Sequence, residues 1–140
     1  MRFNQNEARE MIMEHYKKPV NKKVLDDKFQ THYSNTCSDK VQLDIQWEND
    51  KIKEANFNGI GCAIFVASTD MFLSLIKNKT KEEISNLISL FEKFVNQEQL
   101  SDEQITKLEN LWVFYNVKSH LNRVNCALLI TKAYQDENNN

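Results

Sequence analysis

The sequence predicts an α+β fold: a small antiparallel sheet of about three strands, packed against several helices that follow it. Three observations carry this reading. Residues 40–48 alternate strictly between apolar and polar side chains. After Gly59 and Gly61, among only two glycines and one proline in the chain, the hydrophobic period changes from 2 to 3.6. From there to the C-terminus every periodic stretch is helical.

Taken in order, Ala8, Met11, Ile12 and Tyr16 recur at helical spacing and predict a helix from Asn6 to about Lys18. Pro19 ends it, because the residue before proline is pushed out of the α region. A short strand is expected around 28–34. Val41, Leu43, Ile45 and Trp47 then share one face of a half-buried strand. Past the turn 48–50, Ile52, Ala55 and Phe57 do not keep one parity, which predicts a second long strand with a bulge. Ile64, Ala67, Met71, Leu75 and Ile76 define a helix from about Ala63 to Lys77. Thr80, with Glu82 and Glu83 behind it, caps a helix running to about Asn96. Two more are expected, from Ser101 to about Tyr115 and from about Arg123 to Gln135.

Composition narrows the function classes. A chain of 140 residues with 41% apolar content forms one domain, expected over residues 1–135, with the polar stretch 136–140 as a disordered tail. The formal charge of −2 is spread along the chain and asks for no nucleic acid. No segment has the length of a signal peptide's apolar run or a membrane span, so a cytoplasmic protein without a membrane partner is expected. Three cysteines in a reducing compartment argue for metal ligation or thiol chemistry over a disulfide framework.

Cys37 and Asp39 stand two residues apart at the start of the alternating strand, so both point to one face and can reach one ion. Cys62 and Cys126 would complete the four ligands that zinc takes as a tetrahedron. No C-x-x-C is present, so the fold would have to assemble such a site from three distant places. Cys62 opens a helix, where unpaired N–H groups favour a thiolate, and the glycines before it allow a sharp turn and leave room for a ligand. The competing reading makes Cys62 and Cys126 small core residues. Arg123 is either a solvated charge or a cation placed to stabilise a sulfur anion. His15, His32 and His120 are read as surface or capping residues, His120 being the one whose segment passes near Cys126.

Four segments in order resemble the IscU/NifU-type family of iron–sulfur cluster assembly: "HYKKPVNKKVL" from His15, "NTCSDKVQL", "ANFNGIGCAIFVAS" and "RVNCALL". The resemblance implies a small antiparallel sheet packed on helices and a site made of Cys37, Asp39, Cys62 and Cys126. Within the family the chain looks like the SufU branch. Asn125 stands where IscU-like scaffolds place histidine, no proline follows Pro19, residues 96–120 match an extra stretch before the third cysteine, and Arg123 precedes Cys126 by three. That branch holds zinc and accepts persulfide sulfur from a SufS-like cysteine desulfurase for downstream cluster-assembly proteins. The similarity implies Cys37 as the first choice of acceptor, with Cys126 second, and Arg123 as the helper; the sequence itself does not say which cysteine receives the sulfur. The rival implication is a scaffold carrying a [2Fe–2S] cluster on the same four ligands. One departure is Ser38, where the family usually has glycine.

Overall fold

The computed structural model describes residues 2–138, without the side chains of His120 and Leu121. Helix α1 (Gln5–Lys17) is capped by Asn4, whose Oδ1 accepts the Glu7 N–H. The sheet follows as β1 (Thr31–Tyr33), β2 (Lys40–Glu48) and β3 (Lys51–Ile60), antiparallel in the order β1-β2-β3. Then come α2 (Ala63–Ile76), α3 (Lys81–Val95), the short α4 (Asp102–Lys107), a 3-10 segment (Glu109–Phe114), a π turn (Val117–Leu121) and α5 (Val124–Asn138). The predicted α+β order holds, with the sheet first and the helices after it.

The expected bulge lies in β3. Gln46 pairs with Glu54 and Trp47 with Ile52, so Lys53 is the extra residue. That insertion lets Ile52, Ala55 and Phe57 all point inward despite their parity, and all three are fully buried. Asn49 and Asp50 both take positive φ and close the two-residue hairpin between β2 and β3. The first strand is shorter than expected, three residues against seven.

Helix α2 is the centre of the molecule: α1, β3 and α5 pack on it, and twelve of its residues are buried. An apolar helix of this kind carries no polar stripe because it has no solvent face. Asp70 in its middle is nevertheless fully buried. Its carboxylate accepts from His15 Nδ1 at 2.7 Å, Asn21 N–H at 2.8 Å and Val20 N–H at 3.1 Å. Asn21 returns a bond to the Asp70 carbonyl, and its backbone carbonyl accepts from Phe57 on β3. Residues 15–21 are thereby pinned across α2 and the sheet edge.

Two expectations are corrected. The helix expected over Ser101–Tyr115 breaks after Lys107: Glu109 sits at φ 48°, and the chain tightens into the 3-10 segment. The tail expected from 136 is helical as far as Asn138, because Glu137 Oε2 lies 2.5 Å from Nε2 of the buried His32 and ties the last turn to β1. Asn139 and Asn140 lie outside the described residues.

Candidate metal centre

Cys37 lies in the loop between β1 and β2, Asp39 directly precedes β2, Cys62 is the N-cap of α2, and Cys126 sits in the first turn of α5. The Sγ atoms of Cys37 and Cys126, 89 residues apart, lie 3.6 Å from each other. Asp39 Oδ2 is 2.9 Å from the Cys37 sulfur and 3.9 Å from that of Cys62. Donor atoms of Cys37, Asp39 and Cys126 all lie within 4.8 Å of one another. Cys62 is not part of that tight set and reaches the cluster through Asp39.

The donor set fits a divalent soft-to-borderline cation. With metal–sulfur bonds of about 2.3 Å, the edge of a tetrahedron is about 3.8 Å, against 3.6 Å between Cys37 and Cys126. Electrostatics point the same way. Burial pushes the Cys126 thiol well up, and its contacts with Asp39, Cys37 and Cys62 push it further. A cation bound beside these donors would reverse that shift.

Asp39 is held firmly. It is buried, and its second oxygen, Oδ1, accepts the Cys62 N–H at 3.0 Å. That bond also ties the start of α2 to the start of β2. The Phe65 N–H points at the Cys62 sulfur from 3.5 Å, so the sulfur fills the capping role at the positive end of the helix. Arg123 Nη1 lies 3.8 Å from the Cys126 sulfur. Contact with Cys126, reinforced by Cys62, holds the Arg123 guanidinium above its ordinary value, so it is a fixed positive charge beside the thiols.

The glycines before Cys62 require a correction. Neither takes a positive φ, so no sharp glycine turn is made. Their value is space: a Cβ on Gly61 would lie 2.2 Å from Asp39 Oδ1, and one on Gly59 would press on the Lys40 carbonyl and the Phe65 ring. Ser38 is not among the positive-φ residues, so the backbone there accommodates serine without strain.

His15 and His32 are committed to Asp70 and Glu137, away from the cysteines, while the His120 side chain lies outside the described residues. Sequence reasoning missed Ser34, whose Oγ lies 3.2 Å from the Cys37 sulfur, and the bond from Asn125 Nδ2 to Thr36 Oγ1 at 3.3 Å. It also passed over Asp70, although a lone acid inside an apolar helix was a visible signal.

A partly buried group of three cysteines and one aspartate where a three-stranded sheet meets two helix starts defines a class. A match to the NifU-like N-terminal domain over residues 7–111 names it, and the chain belongs to that family. Among its relatives, the zinc-dependent sulfurtransferase SufU of Bacillus subtilis (strain 168) is 32% identical over 96% of this chain and 93% of its own. The iron–sulfur cluster assembly scaffold protein IscU of Thermotoga maritima is 32% identical over 72% of this chain and 69% of its own. A crystal structure from Fervidobacterium islandicum AW-1, described as an iron–sulfur cluster assembly scaffold protein for the SUF system, superposes with a TM-score of 0.71. It is 32% identical and covers 88% of this chain and 90% of that one.

Proposed function

We propose that this protein is a zinc-dependent sulfur carrier that accepts persulfide sulfur from a SufS-like cysteine desulfurase and passes it towards iron–sulfur cluster assembly. The observation that carries the reading is the convergence of Cys37, Asp39 and Cys126 within 4.8 Å, with Cys62 beside Asp39 and Arg123 beside Cys126. Similarity to the SufU of Bacillus subtilis supports the choice of zinc and of sulfur transfer.

Zinc, when bound, supplies the positive charge that keeps thiols deprotonated near neutral pH. Cys37, Asp39, Cys62 and Cys126 would hold it. Cys37 is the proposed acceptor, because it alone of the three lies on a loop rather than at the start of a helix. Its thiolate attacks the outer sulfur of the donor's persulfide, R–S–SH. The donor's S–S bond breaks, the donor cysteine leaves as a thiolate with the bonding electrons, and Cys37 carries S–SH. Ser34 Oγ stands beside the Cys37 sulfur to hydrogen-bond it. Asp39 stays in place through the Cys62 N–H, and Arg123 offsets negative charge left on Cys126.

The test is sulfide release by a SufS-type desulfurase on L-cysteine under reductant, with zinc-loaded protein and its Cys37→Ala variant. Saturable stimulation that Cys37→Ala abolishes is expected. Desulfurase turnover unchanged by the wild-type protein would refute the reading.

A scaffold for a [2Fe–2S] cluster is the second reading, favoured by the relatives named as IscU. Zinc, iron and acid-labile sulfide measured in anaerobically purified protein separate the two: iron with matching sulfide supports the scaffold.

A further inference from the structure

Among the described residues five large apolar side chains are exposed, and three of them, Tyr16 at 41%, Val20 at 72% and Val24 at 90%, fall within one short stretch. Residues 16–24 also hold Lys17, Lys18, Lys22 and Lys23 and no acid, in a chain whose formal charge is −2. Lys23 pairs with Asp44 at 3.3 Å. Lys17, Lys18 and Lys22 have no carboxylate partner among the described residues. The stretch is nevertheless held rigidly. Asn21 is buried in its middle, and the N–H groups of Val20 and Asn21 both bond to the Asp70 carboxylate. Asn21 Nδ2 donates to the Asp70 carbonyl and to Ser74 Oγ, and its Oδ1 accepts from Lys77 Nζ at 2.7 Å. On the sheet side the Phe57 N–H donates to the Asn21 carbonyl and the Lys23 N–H to the Phe57 carbonyl, so the stretch runs along β3. A buried polar network thus fixes a strap whose exposed side chains are cationic or apolar.

We infer that residues 16–24 are a docking surface for an acidic protein, one that sets carboxylates against Lys17, Lys18 and Lys22 and apolar side chains against Tyr16, Val20 and Val24. Charge complementarity selects this occupant. Unpaired cations interleaved with exposed valines are satisfied together only by a partner that carries both acids and apolar groups. The flanking charges limit its size. Glu10 and Glu14 precede the stretch and Asp26 and Asp27 follow it, all exposed. An anionic membrane or a long nucleic-acid strand laid across the strap would meet those acids, whereas a compact acidic patch meets the lysines alone. Because Asp70 and Asn21 fix the strap beforehand, docking loses little ordering entropy. That gives a task to a buried carboxylate the metal centre does not use. The surface is also separate from the thiols: Asp70, which anchors it, lies eight residues beyond Cys62 along α2, about 12 Å at the helical rise. The inference therefore holds whether or not the sulfur-carrier reading does.

The experiment is fluorescence anisotropy with two labelled peptides of about twelve residues, long enough to span the stretch. One alternates glutamate with leucine and the other glutamate with serine, so their charges are equal. Wild-type protein should bind the glutamate–leucine peptide about tenfold more tightly than the glutamate–serine peptide. Val20→Ser combined with Val24→Ser should remove that preference and leave the glutamate–serine affinity within about twofold of wild type. Lys17→Glu, Lys18→Glu and Lys22→Glu together should weaken both peptides about a hundredfold. The same reversal at Lys53, Lys93 and Lys107, exposed lysines elsewhere, should weaken them no more than about threefold. Melting temperatures should match wild type throughout. Wild-type protein that binds neither peptide, or binds both equally, overturns the inference, as does an equal loss in the control triple variant. Displacement of the glutamate–leucine peptide by phosphatidylserine vesicles or a single-stranded oligonucleotide at matched anionic charge overturns it too, and would assign the strap to a membrane or a nucleic acid.

Discussion

Replacing Gly61 with alanine tests how tightly the centre is built. The added Cβ would lie 2.2 Å from Asp39 Oδ1, 2.8 Å from its carboxylate carbon and 2.6 Å from Phe65 Cδ2. Real Cβ contacts essentially never fall below 3.0 Å, so the carboxylate must retreat by about 0.8 Å or more. Phe65 is fully buried and cannot yield in its place. The retreat moves one of the four candidate ligands and strains the bond from the Cys62 N–H, a charge-assisted contact of about 1.5–3 kcal/mol. The fold survives, because Gly61 lies between β3 and α2 with an ordinary φ that alanine adopts. Losses of about 10-fold to 100-fold are typical when the support of a metal ligand is disturbed. Zinc affinity should fall by at least that much, about 1.4–2.8 kcal/mol. Competition against a chromogenic chelator measures it, with circular dichroism to confirm folding. A folded Gly61→Ala that keeps zinc affinity within about threefold of wild type would show that Asp39 is not held where the metal needs it. Gly59→Ala is the contrast, since its Cβ meets the Lys40 carbonyl and the Phe65 ring and should lower stability first.

Asp39→Ala should release zinc and lose sulfur acceptance while far-ultraviolet dichroism stays near wild type; full activity would remove the aspartate from the mechanism. Asp70→Ala strips the acceptor from His15, Val20 N–H and Asn21 N–H at once and should cost about 3–5 kcal/mol in urea unfolding, as for other broken buried polar networks. A loss below about 1 kcal/mol would mean that water replaces the carboxylate there. At the start of α3, the Thr80 N–H and hydroxyl hold the Glu83 carboxyl below its ordinary value of 4.5. Because the folded value is depressed, this stabilisation is present above the ordinary carboxylate range and is lost as pH falls through the folded value. The difference in urea midpoint between wild type and Glu83→Ala should therefore be larger at neutral pH than in acid, and a difference that grows in acid would contradict the sign.

Much of the fold was legible because its signals are local. The alternation of Val41, Leu43, Ile45 and Trp47 marks a strand from Lys40 to Glu48 without help from any other segment. Thr80 and Glu83 announce the start of α3 three residues apart, and the capping box forms as written. The bulge in β3 was legible as broken parity, although its place at Lys53 needed the pairing with β2. The break at Glu109 was not legible, since residues 101–115 keep helical periodicity while the chain turns through a positive φ. That turn serves packing: Leu108, Leu111, Val113 and Phe114 are all buried, and Trp112 and Tyr115 stack on Phe3. Periodicity cannot report a bend made to bury side chains on both sides of it.

The candidate centre divides the same way. The spacing of Cys37 and Asp39 puts both on one face because a strand repeats every two residues, and the thiol and carboxylate meet at 2.9 Å. Cys62 was legible as a residue opening a helix, where backbone N–H groups favour a sulfur anion, whereas Cys126, at the start of an apolar helix, read equally as core. What the sequence alone determined is therefore most of the elements, four candidate donor residues and the chemistry such side chains can do, which follow from side-chain identity, short spacing and order along the chain. Only the tertiary structure decided that Cys126 comes within 3.6 Å of Cys37 and that Gly61 leaves its space to the Asp39 carboxylate. It alone also bound His15 to Asp70 and laid Asn21 and Lys23 along β3. Those are contacts between residues tens of positions apart, and they form only when β2, α2 and α5 pack around one core.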